Sequence, residues 1–214
     1  MSIGVLLVDD HTVLSEGLRF LIETQDDLRV VGSATDGRSA VNMARKLKPQ
    51  VVVMDISMPD LNGIEATRLI CERSNDIGVV ILSMHSNQEY VLRALRAGAR
   101  GYLLKKSAGK EVVDAIRAVC LGGRYLSPEV VGAVVDDYLR DRPVANPLDA
   151  LSSRERQILQ LVVEGKSNSA IAQSLSLSPK TVETYRSRVM QKLRIDNVPS
   201  LVKFAIQQGL TTIE

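Results

Sequence analysis

Five short apolar runs alternate with amphipathic stretches through the first 124 residues of the chain. The runs are rich in β-branched residues and lie at 4–8, 28–34, 51–54, 79–82 and 101–104. Helical periodicity is found at about 12–24, 37–47, 64–74, 88–97 and 109–121. Strands that are apolar along most of their length are buried on both faces, as in a parallel sheet covered by helices. The sequence therefore predicts a doubly wound α/β domain with a five-stranded parallel sheet.

The end of the chain follows a different pattern. From about residue 150 onward we find no strand candidate, and helical periodicity is interrupted at Gly165, at Ser178-Pro179 and at Pro199. These observations predict an all-α domain over residues 149–214, after the α/β domain over residues 1–124.

Residues 125–148 separate the two predicted domains. Ser127-Pro128 indicates a helix start, and two prolines within 141–147 favour an extended hinge after that helix. We expect the apolar stripe of this linker helix to pack on a neighbouring domain or on a second copy of the chain. The stripe consists of Val130, Val131, Val134, Val135 and Leu139.

The charge distribution and the cysteine content indicate which kinds of partner and which cellular compartment suit the chain. The net charge is only +2, yet residues 149–214 hold nine Lys/Arg against six Asp/Glu, and five of those bases lie within 179–194. Such a cluster is typical of nucleic-acid binding, although a solvated basic helix face is the simpler alternative. Two cysteines far apart suit a reducing cytosol, and the first residues resemble neither a signal peptide nor a membrane span. We expect a cytoplasmic protein without membrane contact.

Polar residues follow four of the five apolar runs. Asp9 and Asp10 follow the first, Asp55 the third and Ser83 the fourth, and Lys105 lies just past the fifth. Ligands of such sheets gather at the carboxyl ends of the strands, so these residues are expected at one edge. Three carboxylates suit a hard cation such as Mg²⁺, and an aspartate beside Mg²⁺ and a lysine can attack a phosphoryl group. A lone pair of aspartates would more often be a structural cap.

The segments "VDD", "MDISMPDLNGIEATR", "ILSMHS" and "GARGYLLKKS" resemble the receiver domain of two-component response regulators, over about residues 2–121. The resemblance implies a flavodoxin-like fold with strand order 2-1-3-4-5 and a phosphoacceptor at Asp55. It also implies Mg²⁺ binding by Asp10, Asp55 and the backbone carbonyl of Ser57, with Asp9 acting through water.

The same resemblance assigns the remaining residues of the site. Lys105 would pair with the phosphoryl group, Ser83 would be the switch hydroxyl, and Tyr102 would be a switch aromatic that rotates into the space vacated by the loop after strand 4. Pro59 and Gly63 would shape the loop after the phosphoacceptor, because proline fixes φ and glycine tolerates positive φ.

The helical part of the chain has the pattern of a helix-turn-helix. Ser152 and Glu155 have capping-box spacing, and the helix that they begin should end near Gly165. A short helix is predicted at about 168–175, and Ser178 can cap a third helix. Two helices joined by a short turn, the second of them basic, are typical of DNA-binding motifs.

The third helix has an apolar and a polar face. We expect Val182, Val189 and Leu193 to pack inward. The polar face could read base edges in a major groove, and its candidates are Lys180, Thr181, Glu183, Thr184, Ser187, Arg188 and Gln191. Three further bases are better placed for phosphate contacts, namely Lys166, Arg186 and Lys192. The alternative is a helix bundle whose polar face is exposed to solvent and does not bind DNA.

The segments "LSSRERQIL", "GKSNSAIA" and "SPKTVETYRSRVMQKL" resemble the C-terminal DNA-binding domain shared by LuxR, FixJ and NarL regulators, over about residues 151–210. Tyr185 stands where many members have histidine. The two resemblances imply a transcription factor that a sensor histidine kinase phosphorylates and that binds promoter DNA as a homodimer, formed on phosphorylation or on DNA. RNA polymerase is a further candidate partner.

Two alternatives remain open from the sequence. A phosphatase of the haloacid dehalogenase type also uses an aspartyl nucleophile and Mg²⁺, but Ser57 stands where that class has its second acid. A regulator that acts independently of phosphate would keep the same fold. We therefore expect self-catalysed phosphoryl transfer and autodephosphorylation at Asp55 and no further enzyme activity.

Overall fold

The computed structural model describes residues 2–139, 147–208 and 210. The chain divides into two compact units, residues 1–141 and residues 142–214. The predicted limits of the domains at residues 124 and 149 stay predictions. Most of the predicted hinge, residues 140–146, lies outside the described residues.

The first unit alternates strands and helices. Its elements are β1 (Ile3–Val8), α1 (Thr12–Glu23), β2 (Leu28–Ala34), α2 (Gly37–Leu47), β3 (Val51–Asp55), α3 (Gly63–Cys71), β4 (Gly78–Ser83), α4 (Gln88–Arg96), β5 (Gly101–Leu104), α5 (Ala108–Cys120), β6 (Tyr125–Leu126) and α6 (Pro128–Leu139).

The strands form one parallel sheet in the order β2-β1-β3-β4-β5-β6. The predicted α/β class and the order 2-1-3-4-5 are confirmed. The predicted number of strands was too low by one, because β6 adds to the edge at β5 with the pairs Gly101↔Tyr125 and Tyr102↔Leu126. A strand of two residues is too short to show the alternation that identifies strands in a sequence.

Both faces of the sheet are buried. Val52 and Met54 of β3 belong to an apolar cluster with α2, α3 and α4, whereas Val51 and Val53 belong to a second cluster with α1 and α5. All four side chains are at most 1% exposed. Successive side chains of a strand point to opposite faces, so helices on both sides require an uninterrupted apolar run. The segment "VVVM" therefore ends at the sheet edge, where Asp55 follows.

Gly63 acts differently from the prediction. It has no positive φ; in the loop before it, Asp60 has φ +64°. A Cβ atom on Gly63 would lie 1.8 Å from the carbonyl oxygen of Asp55. The glycine is required because α3 begins in contact with the backbone at the end of β3. The side chain of Asn62 caps this helix by accepting a hydrogen bond from the Glu65 amide at 3.0 Å.

The linker helix α6 packs on the first unit. Val130 is fully buried in the cluster formed with α2, α3 and α4, and Val134 packs against that cluster. Val131 and Val135 are 41% and 47% exposed. The predicted stripe is therefore divided between a buried and an exposed side, and the side chain of Leu139 lies outside the described residues.

The second unit is helical in its described part. A 3-10 helix at Pro147–Ala150 precedes α7 (Ser153–Val163), α8 (Asn168–Leu175), α9 (Pro179–Leu193) and α10 (Val198–Gln207). The predicted capping box of Ser152 and Glu155 is present, and Gly165 has φ +77° just after α7. Among the described residues, no helix combines the length and apolarity that a membrane span requires.

Candidate phosphoryl-acceptor site and nucleic-acid interface

Three charged side chains meet at the carboxyl edge of the sheet. The Lys105 Nζ atom lies 2.7 Å from Asp55 Oδ2 and 3.0 Å from Asp9 Oδ2. The side chains of Asp55, Asp9 and Lys105 are 2%, 4% and 8% exposed. Because β1, β3 and β5 are parallel members of one sheet, their carboxyl ends place these residues together, as the sequence predicted. Two buried carboxylates thus share one buried ammonium group.

The environment makes ionisation of Asp55 costly. Burial raises the pKa of this carboxyl from its ordinary 3.8 to about 6. The hydrogen bond and positive charge of Lys105 act in the opposite direction, and the charge of Asp9 adds to the increase. The Ser57 amide donates to Asp55 Oδ1 at 3.3 Å. Additional positive charge at this edge would therefore favour the carboxylate form.

His11 belongs to the site and was missed from the sequence. Its Nδ1 atom lies 2.9 Å from Asp10 Oδ1, 3.2 Å from Asp9 Oδ1 and 3.8 Å from Asp55 Oδ2. One donor atom from each of these four residues lies within 4.8 Å of the other three. Three carboxylates and one imidazole at such spacing fit a divalent cation. The only sequence signal for His11 was its position directly after "VDD".

Ser83 and Tyr102 are tied to the loop after β4. Ser83 Oγ accepts a hydrogen bond from the His85 amide at 3.0 Å, and the Tyr102 hydroxyl donates to the His85 carbonyl at 2.7 Å. Tyr102 is fully buried, and burial raises the pKa of its hydroxyl. The His85 ring stacks on Tyr90 with centroids 4.1 Å apart. The aromatic that was predicted to rotate inward is therefore inside in this structure.

Space for a ligand lies beside the buried lysine. A cavity of about 100 Å³ is lined by residues of the β4–α4 loop and the end of β5. Ser83, Leu104 and Lys105 contribute to its wall. Residues of the predicted switch and of the buried ion pair therefore share the wall of one small cavity.

The strand that precedes Lys105 is bonded to the linker helix. The Ser127 amide donates to the Tyr102 carbonyl at 2.9 Å, directly before α6 begins. The Ser127 hydroxyl donates to Glu111 Oε2 at 2.6 Å. The Lys106 Nζ atom lies 2.5 Å from Glu129 Oε2, although both side chains are more than half exposed. Contacts from β5, α5 and the loop between them thus hold the start of α6.

Helices α8 and α9 form the predicted helix-turn-helix. Ser176 in the left-handed region ends α8, and Ser178 caps α9 by accepting from the Thr181 amide at 3.1 Å. Val182 and Val189 are buried. The opposite face of α9 is exposed and carries most of the predicted base-reading residues, namely Lys180, Glu183, Thr184, Ser187, Arg188 and Gln191.

The other predicted contacts are placed differently. Thr181 is half-buried with its hydroxyl 2.8 Å from the capping Ser178 hydroxyl, and Lys166 is exposed before α8. The Arg186 Nη1 atom donates to Asn168 Oδ1 at 2.7 Å, and the Lys192 Nζ atom donates to Glu155 Oε2 at 2.7 Å. These two bases join helices of the unit, which sequence periodicity did not indicate.

Tyr185 also has a partner on α9. It is half-buried and packs against the core of the second unit. The Arg188 guanidinium lies 5.9 Å from the centre of its ring. A cation at this distance is attracted by the ring face, so Tyr185 helps to orient a predicted DNA contact.

Comparison with known families decides the classification. The response regulator receiver domain matches residues 5–117, and the luxR family of bacterial regulatory proteins matches residues 149–205. The chain is a response regulator of the LuxR family. This LuxR-family regulator thus pairs a receiver with a helix-turn-helix DNA-binding domain, as the sequence predicted, and is a transcription factor.

Individual relatives agree with this classification. Response regulator UvrY of Escherichia coli is 38% identical over 99% of this chain and 97% of its own. The crystal structure of a LuxR-family regulator from Aurantimonas has 36% identity and a TM-score of 0.62, covering 65% of this chain and all of that one. The RcsB–DNA complex has 25% identity and a TM-score of 0.59, covering 95% and 98%.

Proposed function

We propose that a sensor histidine kinase phosphorylates this LuxR-family regulator on Asp55 in a Mg²⁺-dependent reaction. Phosphorylation then controls dimerisation and binding to promoter DNA. The observation that carries the proposal is the buried contact between Asp55, Lys105 and Asp9 at the carboxyl edge of the sheet. Receiver domains take signals from histidine kinases, and the carboxylates and the ammonium group of this site support the same role here.

Asp55 is suited to act as the nucleophile. With a pKa of about 6, its carboxyl is mostly ionised at pH 7. Attack of a carboxylate oxygen on the phosphorus forms the acyl phosphate and breaks the bond between phosphorus and the kinase imidazole nitrogen, which keeps the electron pair. Lys105 would pair with the transferred oxygens, since its Nζ atom already lies 2.7 Å from Asp55 Oδ2.

The cation would be held by residues of the same edge. Asp10 and Asp55 would supply carboxylate oxygens, Asp9 would act mainly through water, and the Ser57 carbonyl would be a further ligand. Bound Mg²⁺ supplies positive charge that offsets these carboxylates and the incoming phosphoryl group. Ser57 also separates this site from phosphatases of the haloacid dehalogenase type, because it offers a hydroxyl where they have a second acid. The only reactions at Asp55 would therefore be transfer of the phosphoryl group from the kinase, which the receiver itself catalyses, and autodephosphorylation.

The phosphoryl group would be sensed by the loop after β4. Ser83 would exchange its bond from the His85 amide for one to the phosphoryl oxygens. Tyr102 would respond because its hydroxyl is bonded to the His85 carbonyl. Since the Tyr102 carbonyl accepts from the Ser127 amide, a shift of β5 would reach the linker helix. A regulator that acts independently of phosphate would not require this set of contacts between the site and the linker helix.

The exposed face of α9 would enter the major groove. Lys180 and Arg188 are the bases of that face and would favour guanine edges. RcsB, which is similar over most of this chain, has been solved in complex with DNA. A homodimer would place two such helices about one turn of DNA apart. Because the proposed target is promoter DNA, the protein would act in the cytoplasm. RNA polymerase would be a further partner.

The phosphoacceptor is tested by incubating the full chain with acetyl phosphate and MgCl₂ and measuring the intact mass. We expect one added phosphoryl group in the natural protein and in the control Asp76→Asn, whose side chain is exposed. Asp55→Asn should show no adduct, and chelation of Mg²⁺ should abolish the adduct in the natural protein and in Asp76→Asn. An unmodified natural protein, or an adduct that persists in Asp55→Asn, refutes the assignment.

A further inference from the structure

We propose that His11 is a conditional ligand of the cation site and determines which ions the site prefers. Its imidazole would bind ions that accept nitrogen donors, such as Co²⁺, and would turn away when Mg²⁺ binds. The inference rests on the proposed function only for the location of the cation site. Whether Asp55 accepts a phosphoryl group does not affect it.

The position of the ring is the first observation. The Nδ1 atom lies 2.9, 3.2 and 3.8 Å from oxygens of Asp10, Asp9 and Asp55. It also lies 3.4 Å from Lys105 Nζ. One nitrogen atom is thus surrounded by an oxygen from each carboxylate of the site. A cation that these carboxylates share would occupy nearly the same place.

The spacing of the donors allows the imidazole to become a ligand. Opposite donors of one ion are about 4.2 Å apart when each bond is about 2.1 Å long. The four donor atoms of Asp9, Asp10, His11 and Asp55 lie within 4.8 Å of one another. With the ion at that place, an outward movement of Nδ1 by about the length of one such bond, about 2.1 Å, would let the imidazole and the carboxylates bind the ion together.

The exposure of the ring leaves room for it to move out of this position. His11 precedes α1 at the N-cap position, but its side chain makes no capping hydrogen bond. Its side chain is 65% exposed, in contrast to the buried Asp9 and Asp55. The backbone of His11 is fixed, because its amide donates to Asp9 Oδ1 at 2.8 Å. The imidazole can therefore rotate between the site and solvent on a fixed backbone.

The two positions of the ring correspond to two classes of ion. Mg²⁺ takes carboxylate oxygens, keeps several waters and rarely uses imidazole. Imidazole suits later transition metals, whose affinity for nitrogen sites exceeds that of Mg²⁺. A site with three carboxylates alone would discriminate less between the two classes. His11 would thus raise the affinity for Co²⁺ without raising that for Mg²⁺.

The experiment compares Co²⁺ and Mg²⁺ binding to the full chain by calorimetry at one fixed pH. In His11→Ala we expect the affinity for Co²⁺ to fall at least about tenfold, the scale on which partners of metal sites act. The affinity for Mg²⁺ should stay equal or rise. The visible absorption of bound Co²⁺ responds to nitrogen ligation and should therefore change in His11→Ala. The spectrum of the natural protein should not return in His11→Gln, whose side chain offers an oxygen donor instead of the imidazole.

Controls separate this inference from the proposed function. His85→Gln replaces the other histidine of the chain and should leave the Co²⁺ affinity unchanged. Asp55→Asn should weaken the binding of both Co²⁺ and Mg²⁺, because it removes a carboxylate that binds either ion. An unchanged Co²⁺ affinity in His11→Ala, or an equal loss for both ions, overturns the inference. Phosphorylation by acetyl phosphate is not part of this readout and can succeed or fail independently.

Discussion

Burial of the Asp55 carboxylate should make the cation-free protein less stable as pH rises. The pKa of this carboxyl is about 6 in the folded chain against an ordinary 3.8. The folded state therefore binds more protons than the unfolded state between about pH 4 and pH 6. Stability falls wherever the folded state binds more protons, so it should decrease across that window and level off above it.

The magnitude follows from the shift. About two pKa units at 1.36 kcal/mol each correspond to roughly 3 kcal/mol, lost between acid pH and pH 7.5. About half of this loss should fall between pH 5 and pH 7.5. Asp55→Asn keeps the shape of the side chain and removes its charge, and Lys105 retains Asp9 as a partner at 3.0 Å. The substitution should therefore stabilise the receiver, and more so at pH 7.5.

The assay is the unfolding of the receiver in the full chain, followed by calorimetry with EDTA present. The quantity compared is the difference in unfolding free energy between Asp55→Asn and the natural protein at pH 5 and at pH 7.5. Titrating groups that do not interact with Asp55 cancel in this difference. A difference that stays constant with pH, or that shrinks toward pH 7.5, would refute the argument that desolvation dominates at Asp55.

Two further predictions concern the DNA-binding unit. Replacing Lys180 and Arg188 together by alanine should weaken binding to a cognate promoter site at least tenfold, since each base contact contributes about 1–3 kcal/mol; undiminished affinity in a gel-shift titration would contradict the groove assignment. Lys192→Met should destabilise the unit by about 1 kcal/mol, because it leaves the buried Glu155 without its ion-pair partner. The loss should not be larger, since the side chain of Lys192 is 42% exposed and solvent screens the pair. Thermal unfolding measures this loss, and the exposed Lys203→Met is the control that should show none.

Periodic features of the molecule were predictable from the sequence. The five long strands and the helices around them begin and end within a few residues of the predicted limits, because apolar periodicity and caps are local signals. The prediction that Asp9, Asp55 and Lys105 lie at one edge followed from their positions at the carboxyl ends of parallel strands.

Features that depend on tertiary contacts were not predictable. Arg186 and Lys192 share the basic character of the residues on the exposed face, and only the positions of Asn168 and Glu155 show that they bond within the unit. His11 gave no periodic signal either. Gly63 was identified as important, but its role depends on how closely α3 approaches the end of β3.

The short strand β6 has a consequence for any attempt to isolate the receiver. Its pairing with Gly101 and Tyr102 covers part of the outer edge of β5 with the chain's own backbone. A fragment cut at residue 124 would lose that cover, and it would also lose Val130 from the apolar cluster that it helps to fill. Uncovered strand edges are templates for pairing with other chains. Such a fragment would expose an unpaired strand edge and self-associate through it. Its oligomeric state would then result from the truncation and not from phosphorylation.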